Sequence, residues 1–152
     1  MLVKALIKVS VTLFIIKLFP MRLNGIIRLY NDDLLRIEQA IVFIEKFYPN
    51  KINAIQLAIE VNISQRKLQA GIKTKTNLNV EQLIQKVRID KAKQLLEENN
   101  YPLKLIAKHT GFCDQSYFGK VFKKFTGTTP EEYRIMSNLG ILNFKSKTNE
   151  KS

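Results

Sequence analysis

Between Leu103 and Arg134 the apolar residues recur at helical intervals and break off at two glycines. The stretch therefore predicts a helix, a tight turn, a second helix, a stop and the start of a third helix. In the first helix Leu103, Ile106 and Ala107 share one face. Gly111 follows at a point where the chain must enter the left-handed conformation, which costs glycine little, and Phe112 fills the corner behind it. Asp114 is placed to cap the next helix, whose apolar face is Phe118, Val121, Phe122 and Phe125. Its opposite face carries Gln115, Ser116, Gly119, Lys120 and Lys123. The whole run reads as a helix-turn-helix whose second helix presents hydrogen-bonding and cationic groups.

The same pattern occurs once before, over residues 54–84. Ala58 answers Ala107, and four positions after each comes a residue suited to the left-handed region, Asn62 or Gly111, then an apolar corner, Ile63 or Phe112. The second copy has one extra residue, Cys113, after which the offset is a constant 50. Ser64 answers Asp114, Leu68 answers Phe118, Ile72 answers Phe122, and Thr76-Asn77 answers Thr126-Gly127. Asn79 with Gln82, and Thr129 with Glu132, form capping-box patterns, and Pro130 takes a first helical position. Two similar helix-turn-helix units follow, at about 54–76 and 103–126.

Between the units, Val80 to Glu98 keeps Leu83, Ile84, Val87, Ala92, Leu95 and Leu96 apolar and reads as one helix. At 1.5 Å per residue it spans roughly 28 Å, near the roughly 34 Å that separates successive major grooves on one face of B-DNA. Asn99-Asn100-Tyr101-Pro102 ends this rod. Upstream, Asn24-Gly25 is a turn signal, Asn31-Asp32-Asp33 supplies caps, and Leu34, Ile37, Ala40, Ile41, Ile44 and Tyr48 keep a helical period up to Pro49. The expected fold class is all-α: two homeodomain-like helix-turn-helix subdomains joined by a long central helix, with about seven helices over 31–137. An apolar segment, 1–30, precedes them, and a tail, 138–152, follows.

Charge sharpens the picture. Twenty-five Lys plus Arg against 13 Asp plus Glu give a net charge of +12, a field suited to polyanions such as DNA, RNA or acidic membranes. A bias toward Lys, Ile and Asn of the kind an AT-rich genome produces is the alternative source of that charge, and it is compatible with DNA binding. Cys113 and His109 are the only residues of their types, so one chain assembles neither a disulfide framework nor a Cys/His metal site, and a reducing cytoplasm fits. Cys113 reads as a small turn residue and His109 as a solvent-facing helix residue. Glu97-Glu98 reads as a solvated helix end. With no phosphate-cradling glycine loop and no paired-carboxylate motif at a plausible site, neither an enzyme nor a cofactor is expected.

Residues 1–19 are apolar, yet Lys8 and Lys17 interrupt them, and the uninterrupted run from Val9 to Ile16 is too short to span a bilayer. A segment packed on the domain, a remnant of a longer regulatory domain, and a membrane anchor are the readings open for it.

Ile106-Ala107, Gly111-Phe112, Gln115-Ser116-Tyr117-Phe118, Val121-Phe122-Lys123-Lys124-Phe125, Thr126-Gly127, Thr129-Pro130 and Glu132-Tyr133-Arg134 together form a long signature. It resembles the C-terminal half of the DNA-binding domain of AraC/XylS-type bacterial transcription regulators. The resemblance extends back to about Asp33, roughly the last two thirds of the chain. It implies double-stranded DNA as partner and contacts to RNA polymerase. No small-molecule effector is expected, because about 30 residues ahead of the domain cannot form an effector-binding fold, and two units in one chain favour a monomer.

The residues placed to read bases are Gln65, Arg66, Gln69 and Ala70 in the first unit and Gln115, Ser116 and Lys120 in the second; Arg suits guanine and Gln suits adenine. Lys67, Lys73, Lys75, Lys123 and Lys124 are placed for phosphates, which position a protein without specifying sequence. The first unit departs from the pattern at Gly71, Ile72 and Asn77 and has a short side chain at Ala70, so the second unit is expected to contribute more to affinity. The alternative function is a basic membrane-associated or degenerate protein with only nonspecific nucleic-acid binding.

Overall fold

In the computed structural model, residues 20–98 and 101–140 are described, with side chains from Asp32 onward. They form seven helices and no strand: α1 (Pro20–Phe47), α2 (Ala54–Glu60), α3 (Gln65–Thr76), α4 (Val80–Glu98), α5 (Leu103–His109), α6 (Gln115–Thr126) and α7 (Pro130–Asn138). The expectations for residues 1–19 and for the end of the tail lie outside the described residues.

The capping chemistry follows the sequence. Asn53 Oδ1 accepts from Gln56 N–H at 2.9 Å, Ser64 Oγ from Lys67 N–H at 3.3 Å and Asp114 Oδ1 from Tyr117 N–H at 2.7 Å. Both capping boxes are closed. Gln82 and Glu132 accept from the backbone N–H groups of Asn79 and Thr129, at 3.0 and 2.7 Å, while the cap side chains accept in return. The Glu132 carboxyl is held below its ordinary pKa, first by the backbone hydrogen bond from Thr129 and then by that residue's side chain. Asn62 and Asn77 adopt φ of 53° and 60°, matching Gly111 and Gly127 at 83° and 82°. Asparagine is among the few residues other than glycine that visit that region routinely.

One boundary differs from expectation. Asn31-Asp32-Asp33 do not cap a helix start, and Asn24-Gly25 makes no turn; α1 begins at Pro20 and runs 28 residues through both. Pro20 suits an opening position, where its missing N–H is no loss. A single internal glycine costs about 1 kcal/mol, too little to break a helix of that length. Asp33 is used instead between helices, pairing with Lys67 of α3 at 2.8 Å.

Two hydrophobic clusters make up the core, and α4 belongs to both. Its first half gives Val80, Leu83 and Ile84 to a cluster with Ile37, Ala40 and Ile44 of α1, Leu57 of α2, and Leu68 and Ile72 of α3. Its second half gives Ile89, Ala92 and Leu96 to a cluster with Ile106 and Ala107 of α5, and Phe118, Val121 and Phe122 of α6. The buried residues of α1 and of the second half of α4 correspond at a constant offset of 52: Ile37 with Ile89, Ala40 with Ala92, Ile44 with Leu96. The repeat is thus three helices long, and α4 is at once the connector and the second unit's counterpart of α1.

The closing helix α7 docks on α4 through Tyr133, whose hydroxyl donates to Glu97 Oε1 at 2.6 Å. Glu97 is therefore an acceptor between helices, unlike the free, solvated helix end read from sequence. Burial, and then the Glu97 hydrogen bond, push the Tyr133 hydroxyl's pKa above its ordinary value.

Gly71 also has a packing reason. A Cβ at this position would lie 2.5 Å from Cδ1 and 2.6 Å from Cγ1 of Ile37, itself buried against α3. Gly71→Ala adds roughly 1 kcal/mol of helix propensity but overpacks a site where such insertions cost about 1–3 kcal/mol. A net loss of about 1 kcal/mol is expected in urea unfolding; a stabilised variant contradicts this packing account.

Candidate nucleic-acid interface

Helices α3 and α6 are both 12 residues long and bury one face each, Leu68 and Ile72 in the first, Phe118, Val121 and Phe122 in the second. What remains outward follows from the helical repeat. Gln65, Arg66, Gln69, Ala70 and Lys73 are all exposed on α3, as are Gln115, Ser116, Lys120, Lys123 and Lys124 on α6. At the offset of 50, Arg66 stands where Ser116 does, Ala70 where Lys120 does, and Lys73 where Lys123 does. The two outward faces are built alike but carry different chemistry. Ala70 borders an open hollow of about 450 Å³ between α1 and α3, also lined by Leu34, Ile37 and Thr74.

Lys67 and Lys75 are exposed too, but they sit on the flank of α3 that faces α1. Lys67 pairs with Asp33 and Lys75 with Glu38. Exposed pairs of this kind are worth about 0–1 kcal/mol, so a phosphate can compete for either lysine. Lys73, Lys123 and Lys124 have no carboxylate partner among the described residues.

Sequence reasoning missed Tyr117. It occupies the position equivalent to Lys67, is half exposed, and its hydroxyl accepts a 2.9 Å hydrogen bond from Gln85 Nε2 of α4. In each unit, then, the same flank of the helix after the turn is tied to the unit's opening helix, α1 or α4, by an ion pair in one case and by a neutral bond in the other. The signal was available in the offset of 50 from Lys67 and the offset of 52 from Asp33 to Gln85.

Two capped three-helix units in one chain, each turning a polar and basic second helix outward, define a bipartite helix-turn-helix domain. The profile of the family described as "Helix-turn-helix domain" matches residues 57–136. The chain belongs to that family, the AraC/XylS type of helix-turn-helix domain.

Individual relatives agree. The chain is 34% identical over 98 residues to an uncharacterized HTH-type transcriptional regulator in the cgkA 5' region of Pseudoalteromonas carrageenovora, covering 64% of this chain and 58% of that protein. It is 30% identical over 95 residues to the raffinose operon transcriptional regulatory protein RafR of Pediococcus pentosaceus, covering 62% of this chain and 34% of RafR. The chain thus spans between about a third and three fifths of the length of these relatives. Among solved structures, it is similar to the C-terminal domain of AraT, a response regulator from Geobacillus stearothermophilus. That match has a TM-score of 0.64 and 29% identity over 66% of this chain and 84% of that one. Among the described residues, no helix is long and apolar enough to cross a membrane.

Proposed function

We propose that the protein is a sequence-specific, double-stranded DNA-binding regulator of transcription that sets α3 and α6 into two successive major grooves. The observation that carries this reading is the duplicated unit, in which the outward face of the second helix is polar and basic in both copies. In the major groove each base pair presents a distinct set of donors, acceptors and methyl groups, and a helix carrying Arg, Gln, Ser and Lys can read that set. The connecting helix α4, 19 residues long, is of the right order to hold two such helices near groove spacing, with some bending of the DNA where the fit falls short. Because both readers lie in one chain, a monomer suffices for an asymmetric site. Control of transcription would follow from promoter occupancy together with contacts to RNA polymerase.

The test is a selection of binding sites from random duplex DNA, followed by titration of the preferred site against scrambled DNA at near-physiological salt. An asymmetric site with two short blocks about one helical turn apart is expected, bound on the order of a thousandfold more tightly than scrambled DNA. Equal affinity for every sequence, with only a steep salt dependence, refutes the reading.

A further inference from the structure

Arg36 and Arg88 are counterparts, 52 residues apart on the first helix of each unit, yet they do different things. Arg36 stays within its own unit: Nη1 donates to the carbonyl oxygens of Val61 and Asn62, at 3.0 and 3.3 Å, and so closes the turn between α2 and α3. Arg88 crosses over. Its Nε donates to Tyr48 O at 2.8 Å and its Nη2 to Asn50 O at 2.9 Å, both in the turn that follows α1 of the first unit. The same guanidinium lies 5.7 Å from the ring centre of Phe112, the corner residue of the second unit's turn.

Beside it Gly111 approaches Pro49 so closely that a Cβ there would fall 2.6 Å from the Pro49 carbonyl oxygen. The turn of the second unit therefore abuts the α1–α2 corner of the first, with Arg88 between them. The carbonyls at a helix C-terminus lack intrahelical partners and attract a cation, so the end of α1 is a favourable seat for a guanidinium. A planar fork that also stacks on an aromatic ring is a geometry that lysine does not reproduce.

We infer that Arg88 is a positioning residue for DNA reading: it fixes the angle and separation of α3 and α6, and through them the spacing of the two half-sites the protein accepts. The inference rests on the two-groove reading above. The helix α4 alone gives each unit one line of attachment, and units docked on its opposite halves can tilt about it. A second contact away from the α4 axis removes that freedom. The cost of a wrong spacing is then borne by the DNA, because the protein no longer adjusts.

The experiment uses the full chain and the preferred site with its spacer shortened or lengthened by single base pairs. Each added pair turns the second block by about 35° relative to the first, since B-DNA has roughly 10–10.5 pairs per turn. The wild type is expected to lose about tenfold or more per pair of misspacing. For Arg88→Gln the penalty should shrink to about threefold or less, with affinity for a fragment holding one block unchanged. Arg88→Lys, which keeps the charge but not the fork, should fall between.

Arg36→Gln is the control for mere structural damage, since it removes the equivalent arginine without loosening the contact between units. It should lower affinity for all spacings alike and leave the profile as strict as in the wild type. A strict wild type with an equally strict Arg88→Gln overturns the role of Arg88 alone, as does equal relaxation in Arg36→Gln. A wild type indifferent to spacing overturns the two-groove reading and this inference together.

Discussion

Phe122→Ala is expected to destabilise the protein by about 3–5 kcal/mol, the range for removing a fully buried phenyl ring that leaves a cavity behind. The ring has no exposed surface, and it meets Phe118 and Tyr133 edge-on at centroid distances of 5.6 and 5.4 Å. Phe118 in turn contacts Phe112, the corner residue of the turn. Truncation therefore loosens α6, α7 and the turn together, in a protein whose total stability is of the order of 5–15 kcal/mol. The equivalent residue in the first unit, Ile72, is also fully buried but has only aliphatic bulk; Ile72→Val should cost about 0.5–1.5 kcal/mol. Urea unfolding of both variants against wild type gives the comparison. A loss under about 1.5 kcal/mol for Phe122→Ala means that the aromatic cluster is not what holds the second unit.

That pair of sites shows why the sequence was informative over this domain. Each position that specifies the fold is a local device with its own signature: a cap, a left-handed turn residue, or an apolar residue at helical spacing. Such devices act over a few residues, so Ser64, Asn62, Thr129-Glu132 and the stripe from Phe118 to Phe125 are legible in the sequence alone. The start of α1 could not, because Asn24-Gly25 and Asn31-Asp32-Asp33 are stop-and-start signals of about 1 kcal/mol each that continued helix formation outweighs. The three-helix length of the repeat was hidden for another reason. Helices α1 and α4 share three buried positions, Arg36 with Arg88 and Glu45 with Glu97, too sparse a pattern to stand out in the sequence.

The candidate site divides the same way. That the face from Gln115 to Lys124 points outward follows from the spacing of its apolar partners. That Lys67 and Lys75 pair with carboxylates from a helix more than 30 residues away, and that Arg88 bridges the units, depends on how the helices cross, which no local pattern encodes.

The second unit is expected to dominate binding. Gln115→Ala with Lys120→Ala should cost more affinity for the preferred site than Arg66→Ala with Gln69→Ala. A good base contact is worth about 1–3 kcal/mol, so the loss of two in α6 should lower affinity by about 1.5 to 4 orders of magnitude. The change in α3 is expected to stay near tenfold or below. Three features give the direction. Ala70 is too short to reach where Lys120 reaches. Lys67 and Lys75 are engaged by Asp33 and Glu38, leaving α3 with Arg66 and Lys73 as free cations where α6 has Lys120, Lys123 and Lys124. Finally, α3 carries Gly71, which lowers its helix propensity by up to about 1 kcal/mol, where α6 has the buried Val121. The salt dependence separates charge from reading: each phosphate contact removed flattens the slope of log K against log salt by about 0.9, whereas loss of a neutral base contact leaves the slope unchanged. Gln115→Ala should therefore lower affinity without changing the slope, whereas Lys120→Ala, if that cation meets a phosphate, should flatten it by about one unit. Comparable losses from the two double variants would contradict the asymmetry and make the first unit, with Arg66 on its face, a full partner in recognition.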